Sequence, residues 1–248
     1  MLMKKETYKQ QGFMKIIKNS KDFWYGFLSI IYPQVCRICK EELPDQIEMI
    51  CPVCDEKLRW THFEKYKENP AESLFWGRVN LHFVYPLLYF KKGSSTQTLM
   101  HEIKYKGEKE LGKFLGKKIG KIIAQREDWE KIDALIPIPL HSKKAFKRGY
   151  NQSLKIAEGL ADETGAVIDE LLVKKQHHAS QTKKDRFERW ENVENKFDVT
   201  GKTLRDYKHV AIVDDVLTTG STVESAAKTL LQNNPSLKVS IITLAIAE

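Results

Sequence analysis

Hydrophobic and polar positions change period several times along the chain, and each change marks an element. Residues 79–90 are rich in β-branched and aromatic side chains, as a hairpin or paired strand would be. Ser95 and Thr96 then precede Leu99 and Ile103, which predicts a capped helix. Leu111, Leu115, Ile119 and Ile122 recur at helical spacing. Lys113, Lys117, Lys118 and Lys121 fall on the other face, where a solvated surface is expected. Residues 133–136 form a short apolar run stopped by Pro137 and Pro139, reading as a buried strand that opens into a stiff loop. Residues 151–164 bring Leu154, Ala157, Leu160 and Ala161 together and end at Gly165, a helix with a glycine stop. Strand-like runs follow at 167–173, 209–213 and 239–247. Strand and helix periods that alternate in this way predict an α/β domain with a mainly parallel sheet flanked by helices. The expected order is a leader with a short helix over 1–30, a cysteine module over 31–60, a connecting hairpin over 61–92 and the α/β domain over 93–248.

Chemistry enters first through the cysteines. Cys36 and Cys39 form one C-x-x-C pair and Cys51 and Cys54 a second, with eleven residues between the pairs. Two such knuckles offer four soft thiolates to one ion, which suits Zn²⁺ better than a hard cation, with a pair of disulfides or an iron–sulfur cluster as lesser alternatives. With no ligand position left for water the zinc is expected to be structural, folding a segment too small to bury its own core. Just beyond, Lys57, Arg59, Trp60, His62, Phe63, Lys65 and Tyr66 interleave cations with aromatics. That composition serves either single-stranded nucleic acid binding or satellite packing.

The most informative segment is 209–222, His-Val-Ala-Ile-Val-Asp-Asp-Val-Leu-Thr-Thr-Gly-Ser-Thr. A buried strand runs into two acids and a hydroxyl-rich turn. A helix follows, with Val223, Ala226, Ala227, Leu230 and Leu231 on one face and a capping box expected between Ser221 and Glu224. Backbone N–H groups of the turn and the positive end of that helix converge where an anion such as phosphate would be held. Asp214 and Asp215 are acceptor-only groups suited to a sugar diol.

Three further stretches add cations to the same account. Residues 137–152 carry four cations, Lys143, Lys144, Lys147 and Arg148, and no acid after a strand end, as a pyrophosphate site would; residues 100–107 bring Lys104 and Lys106; and residues 174–197 make a long polar segment of the kind that forms lids. A P-loop is excluded, because Lys196 stands where the first glycine ahead of Gly201-Lys202-Thr203 should be, and no G-x-G-x-x-G follows a strand.

Composition narrows the partners. The 248 residues are 42% hydrophobic and 30% charged, an ordinary globular balance, and the net charge of +8 favours anionic partners. The longest apolar run, at 23–32, is interrupted by Gly26 and Ser29 and is too short to cross a bilayer, so a cytoplasmic protein without a membrane span is expected.

Residues 209–222 resemble the phosphoribosyl-pyrophosphate (PRPP) motif of the type I phosphoribosyltransferases. The order of the pieces is similar to the ComF family of competence-associated proteins. That likeness covers the four cysteines, His101 with Lys104-Tyr105 and Gly107, Pro137-x-Pro139 with Arg148-Gly149-Tyr150-Asn151-Gln152, and Gln181 with Arg186, Arg189, Asn192 and Phe197. The chain departs from it at His178-Ala-Ser-Gln181, where Thr-Pro-Pro-Gln is expected. The resemblance implies a type I phosphoribosyltransferase-like domain behind a four-cysteine zinc ribbon. PRPP would be bound by Val213, Asp214, Asp215, Val216, Leu217, Thr218, Thr219, Gly220, Ser221 and Thr222 with Lys104, under a lid carrying Gln181, Arg186 and Arg189. Asp214, Asp215, Arg148 and Lys144 would be the catalytic group, and Mg²⁺ would accompany PRPP. It further implies a part in natural transformation, with imported single-stranded DNA and a ComFA-like helicase as partners. Two other functions remain open to the residues: a nucleic-acid-binding accessory protein with a PRPP-sensing pocket, and a nucleobase salvage transferase.

Overall fold

Residues 33–44, 46–66, 68–126, 130–140, 148–175, 196–200 and 206–248 are described by the structure, a computed structural model. The leader helix expected within 1–30 therefore lies outside the described residues. The chain divides into two compact units, Met1–Glu56 and Lys57–Glu248.

In the first unit, a bridge between Val35 and Glu42 closes a small loop around Cys36 and Cys39, and the helix α1 (Pro52–Glu56) starts immediately after Cys51.

The second unit opens with a 3-10 turn at Phe63–Lys65, then α2 (Pro70–Ser73), β1 (Val84–Phe90), α3 (Ser95–Tyr105), α4 (Lys109–Ala124) and β2 (Ala134–Pro137). It continues through α5 (Gln152–Thr164), β3 (Val167–Ile168), β4 (Leu172–Lys174), β5 (Phe197–Val199), β6 (His209–Leu217), α6 (Ser221–Asn233) and β7 (Lys238–Ala247). Five strands form one sheet in the order β1-β7-β6-β2-β3, every pair parallel. Eight consecutive residues of β7 are buried, as expected where helices cover both faces of a parallel sheet.

The connections fix where a site can form. From β6 the chain crosses through α6 to β7 on one side, and from β2 through α5 to β3 on the other. Right-handed crossovers leaving in opposite directions place α5 and α6 on opposite faces. A crevice therefore opens beyond the carboxyl ends of β2 and β6, the topological switch point.

Several expectations change. Residues 84–90, expected within a connecting hairpin outside the α/β domain, form a single strand at the edge of the main sheet, paired from Val84↔Ile241 to Phe90↔Ala247. The single strand expected over 167–173 is two. β3 joins the main sheet, while β4 pairs antiparallel with β5, the break falling where Asp169 N–H turns to the Leu135 carbonyl. Ser94 rather than Ser95 caps α3, accepting from Gln97 N–H. The buried face of α5 is Ile156, Ala157 and Leu160 with Gly159, and Leu154 is only half-buried. On α4 it is Ile123, not Ile122, that completes the buried stripe.

The lysines of α4 are not simply solvated. Lys113 and Lys117 pair with Asp162 of α5 at 3.1 and 3.4 Å, and Lys118 lies over the Trp60 ring. Beneath them Gly112, Gly116 and Gly120 form a ridge of small residues that lets the α5 backbone approach at Gly159.

Candidate functional site

The site is built where β6 ends. Parallel pairing to β2 and β7 buries β6 as far as Val213, and the next two side chains, Asp214 and Asp215, emerge half-buried at the crevice. Asp214 Oδ1 accepts from Ser153 Oγ at 3.1 Å and from the Asp215 N–H at 2.8 Å. Burial first, and the neighbouring Asp215 charge second, push the Asp214 carboxyl up from its ordinary value to about 7, against these two hydrogen bonds and Lys104. Asp215 Oδ2 is held by Lys104 Nζ at 3.0 Å, so α3 delivers a cation to the acidic pair.

The turn at 218–220 leads into α6. A hollow of about 30 Å³ is lined jointly by Asp214, Thr218, Gly220, Ser221 and Thr222, so the acid and the hydroxyl turn face one space. Gly220 is the N-cap of α6, with φ of 76° and no side-chain capping bond. The Ser221–Glu224 capping box is therefore absent: Ser221 is already the first helical residue, and the Glu224 carboxylate is taken by Arg78 and by Lys228 at 3.0 Å. The Ser221 N–H makes only a long contact to Thr219 Oγ1, at 3.5 Å, and a helix start without an N-cap side chain can present its N–H groups to an anion.

The other wall comes from the Arg148–Gln152 stretch, and its bonds explain its position. Asn151 caps α5 by accepting from Ser153 N–H while its Nδ2 donates to the Ile138 carbonyl at 3.1 Å. Tyr150 donates to the Ile103 carbonyl; burial raises its hydroxyl to about 12, which keeps the donor protonated. Arg148 lies over the Tyr105 ring at 5.8 Å and donates to Gln152 Oε1 at 3.0 Å. The ends of β2, β6 and α3 and the start of α5 are thus tied together. Of the residues expected at the site, Asp214, Asp215, Lys104, Arg148 and the 213–222 segment gather here. Lys144 and the lid residues Gln181, Arg186 and Arg189 lie outside the described residues, although β4 and β5, which pair at the two ends of the expected lid, are present.

Sequence reading missed Ser153, which follows the Arg148–Gln152 cluster directly, and also Phe75 and Arg78, which approach the turn from far upstream. A larger cavity, about 570 Å³, lies beside these last two at Glu72, Trp76 and Leu81, away from the acids. Of the interleaved aromatics and cations after the cysteines, Arg59, Trp60 and Phe63 are engaged in packing, while Lys57, His62 and Lys65 are exposed. Phe63 is buried edge-on to Tyr89, Arg59 lies over Tyr89 and pairs with Glu248, and Trp60 bridges Leu88. Tyr66 is largely exposed, although its ring meets Phe63 edge-on.

In the first unit the four cysteines are free, and their sulfurs all lie within 4.8 Å of one another. Cys39 and Cys51 Sγ stand 3.8 Å apart, close to the ~3.8 Å edge of a tetrahedron with 2.3 Å metal–sulfur bonds. Burial opposes ionisation of Cys36, but backbone N–H donors from Cys51, Cys39 and Ile38 lower it to about 6. Burial and the neighbouring thiols push Cys54 up to about 12. Such a cluster could hold a metal such as zinc, whose charge would let all four thiols ionise together.

A mainly parallel five-strand sheet flanked by helices, with an acidic strand end and a hydroxyl turn at its switch point, is a fold of the phosphoribosyl transferase type. The chain belongs to the phosphoribosyl transferase domain family, whose model matches residues 108–247. Among named relatives, it is 31% identical over 144 residues to the DNA utilization protein YhgH of Salmonella typhimurium, a match covering 54% of this chain and 60% of that protein's length. It is 25% identical over 232 residues to the competence protein ComFC of Bacillus subtilis, covering 91% of this chain and 90% of that protein. A glutamine phosphoribosylpyrophosphate amidotransferase of Bacillus subtilis aligns in structure with 19% identity and a TM-score of 0.39, over 58% of this chain and 30% of that one. Among the described residues no helix is long and apolar enough to cross a membrane.

Proposed function

We propose that the second unit binds PRPP with Mg²⁺ at the β6–α6 turn, and that the protein serves the handling of imported single-stranded DNA during natural transformation in the cytoplasm. One observation carries the first part: Asp214 and the 218–222 turn line one hollow at the switch point, with the Asp214 carboxyl held well above its usual range. Lys104 compensates Asp215, but the adjacent half-buried Asp214 has only neutral donors, and a ribose diol together with a cation would offset its cost. The second part rests on the names of the relatives and on the net charge of +8.

In this reading the turn and the first N–H groups of α6 hold the 5′-phosphate, while Asp214 and Asp215 accept from the ribose hydroxyls. Ser153 and Lys104 keep the two carboxylates oriented. Hard oxygen donors fit magnesium, which would offset charge on the pyrophosphate when bound. Arg148, which lies over the Tyr105 ring, would neutralise the same group as it leaves C1′ in this reading. Lys144 belongs to the same basic stretch.

Titration calorimetry with PRPP and magnesium tests the site, with saturable binding expected at micromolar to millimolar concentrations. Silence at millimolar PRPP would overturn it. Pyrophosphate release in the presence of single-stranded DNA or free bases separates a transferase from a sensor.

For the first unit we assign a structural Zn²⁺ to Cys36, Cys39, Cys51 and Cys54. Elemental analysis is expected to give about one zinc per chain, falling to near zero in Cys51→Ser, because three thiolates and a hydroxyl bind the soft ion far less well. Full zinc retention in Cys51→Ser refutes the assignment.

A further inference from the structure

The segment ahead of β1 contributes to the phosphate site although nothing in its local sequence marks it. Asn69 caps α2 and donates Nδ2 to the Val84 carbonyl of β1 at 2.9 Å; at the far end the His82 N–H donates to the Val239 carbonyl of β7 at 2.8 Å. Residues between these anchors are thereby held against the sheet. Two of them reach the 218–220 turn. The Phe75 ring lies so close to Gly220 that a Cβ there would come within 2.8 Å of it. Arg78 donates to the Leu74 carbonyl at 2.9 Å, approaches the Thr219 carbonyl at 3.5 Å and pairs with the Glu224 carboxylate.

Glu224 raises an electrostatic question. It stands in the first turn of α6, the end that receives an anion, and a carboxylate there opposes a bound phosphate. Burial alone would raise its carboxyl, but Lys228 and Arg78 hold it below its usual value, so it is charged at neutral pH. Its side chain is only 12% exposed, so solvent screens that charge poorly. Lys228 supplies one compensating cation from within the helix, and Arg78 supplies the other from 146 residues away.

Building on the reading of the turn as a phosphate site, the geometry points to Arg78 as its positioning residue. Arg78 neutralises Glu224 and steadies the Thr219 carbonyl, while Phe75 seats Gly220 in its left-handed conformation. Neither residue need touch PRPP. The effect is carried by charge compensation and by a preformed turn, which spares the ligand the cost of ordering it.

The test is calorimetry with PRPP and magnesium on the full chain as wild type, Arg78→Ala, Arg78→Lys, Glu224→Gln and the double variant Arg78→Ala/Glu224→Gln. Losing one charge-assisted contact should weaken binding by about tenfold in Arg78→Ala. Arg78→Lys keeps a cation beside Glu224 and should stay within about threefold of wild type. Removing the uncompensated carboxylate should restore the double variant to within about threefold of wild type, a rescue that a merely structural role for Arg78 would not produce. Ribose 5-phosphate should lose affinity in parallel, and pyrophosphate alone should not. Wild-type protein that ignores PRPP would defeat the reading of the site itself. Wild-type binding left intact by Arg78→Ala, or a double variant no better than the single one, would overturn the role of Arg78 alone.

Discussion

Asp214→Asn combined with Asp215→Asn is expected to weaken PRPP binding by more than about a hundredfold while leaving the fold intact, two charge-assisted hydrogen bonds at ~1.5–3 kcal/mol each being enough for that loss. The fold survives because an amide oxygen can still accept from Ser153 Oγ, from the residue 215 N–H and from Lys104. Asp214→Asn by itself, which leaves the Lys104–Asp215 pair intact, should stabilise the ligand-free protein. Asp214 has its carboxyl raised in the folded state, so folding favours its protonated form. Stability is therefore fullest below the unfolded pKa near ~4 and declines as pH rises towards about 7. Removing the charge relieves that penalty. Melting of Asp214→Asn against wild type should show a gain at pH 8, roughly 1–2 kcal/mol for a carboxyl that keeps an open side to the crevice, shrinking towards zero by about pH 4. Opposite signs for binding and for stability are the mark of a group retained for a ligand. Unchanged PRPP affinity in the double variant would refute the assignment.

The second large effect lies in the α4–α5 contact. A Cβ added at Gly159 would come 2.0 Å from the Lys113 carbonyl oxygen and 2.7 Å from the Lys117 nitrogen; one at Gly116 would come 2.2 Å from the Ile156 carbonyl oxygen. These neighbours are backbone, which cannot swing aside, so the helices must separate along their contact. Gly159→Ala or Gly116→Ala should cost at least about 3 kcal/mol in chemical denaturation, the range of severe overpacking. Gly112→Ala is the control on the same helix. Its Cβ would meet only Lys155 Cβ at 3.6 Å, an ordinary contact, so the gain in helix propensity should make it neutral or stabilising by up to ~1 kcal/mol. Equal losses at the three positions would remove the close approach as their cause. Since α5 carries Ser153 and the Asn151 cap, the Gly159 variant should also bind PRPP less well at temperatures where it is still folded.

What the chain sequence determined by itself is whatever its neighbours in sequence suffice to build. The 209–222 segment is contiguous, so a strand, two acids, a hydroxyl turn and a helix start could be read in order. The spacing of Cys36, Cys39, Cys51 and Cys54 likewise announces a cluster whose sulfurs lie within 4.8 Å. The alternation of periods was enough for an α/β domain, because amphipathic faces report burial directly. Local signals that compete nearly equally were misleading, as with the cap at Ser94 rather than Ser95 and the capping box that Arg78 dissolves by taking Glu224.

Only the tertiary structure decided the rest. Lys104 meets Asp215 and Ser153 meets Asp214 because parallel strands bring distant chain segments to one sheet end, and no periodicity encodes which segments those are. Edge strand β1 pairs with β7 from the far end of the chain, which decided between a hairpin and a paired strand for residues 84–90 and set them in the main sheet. The small-residue ridge of α4 is visible as three glycines, yet its meaning depends on Gly159 lying opposite. Local propensity is set by neighbours within a few residues, whereas a site of this kind is completed by packing, where a side chain's partner is chosen by the shape and charge of whatever the fold places against it.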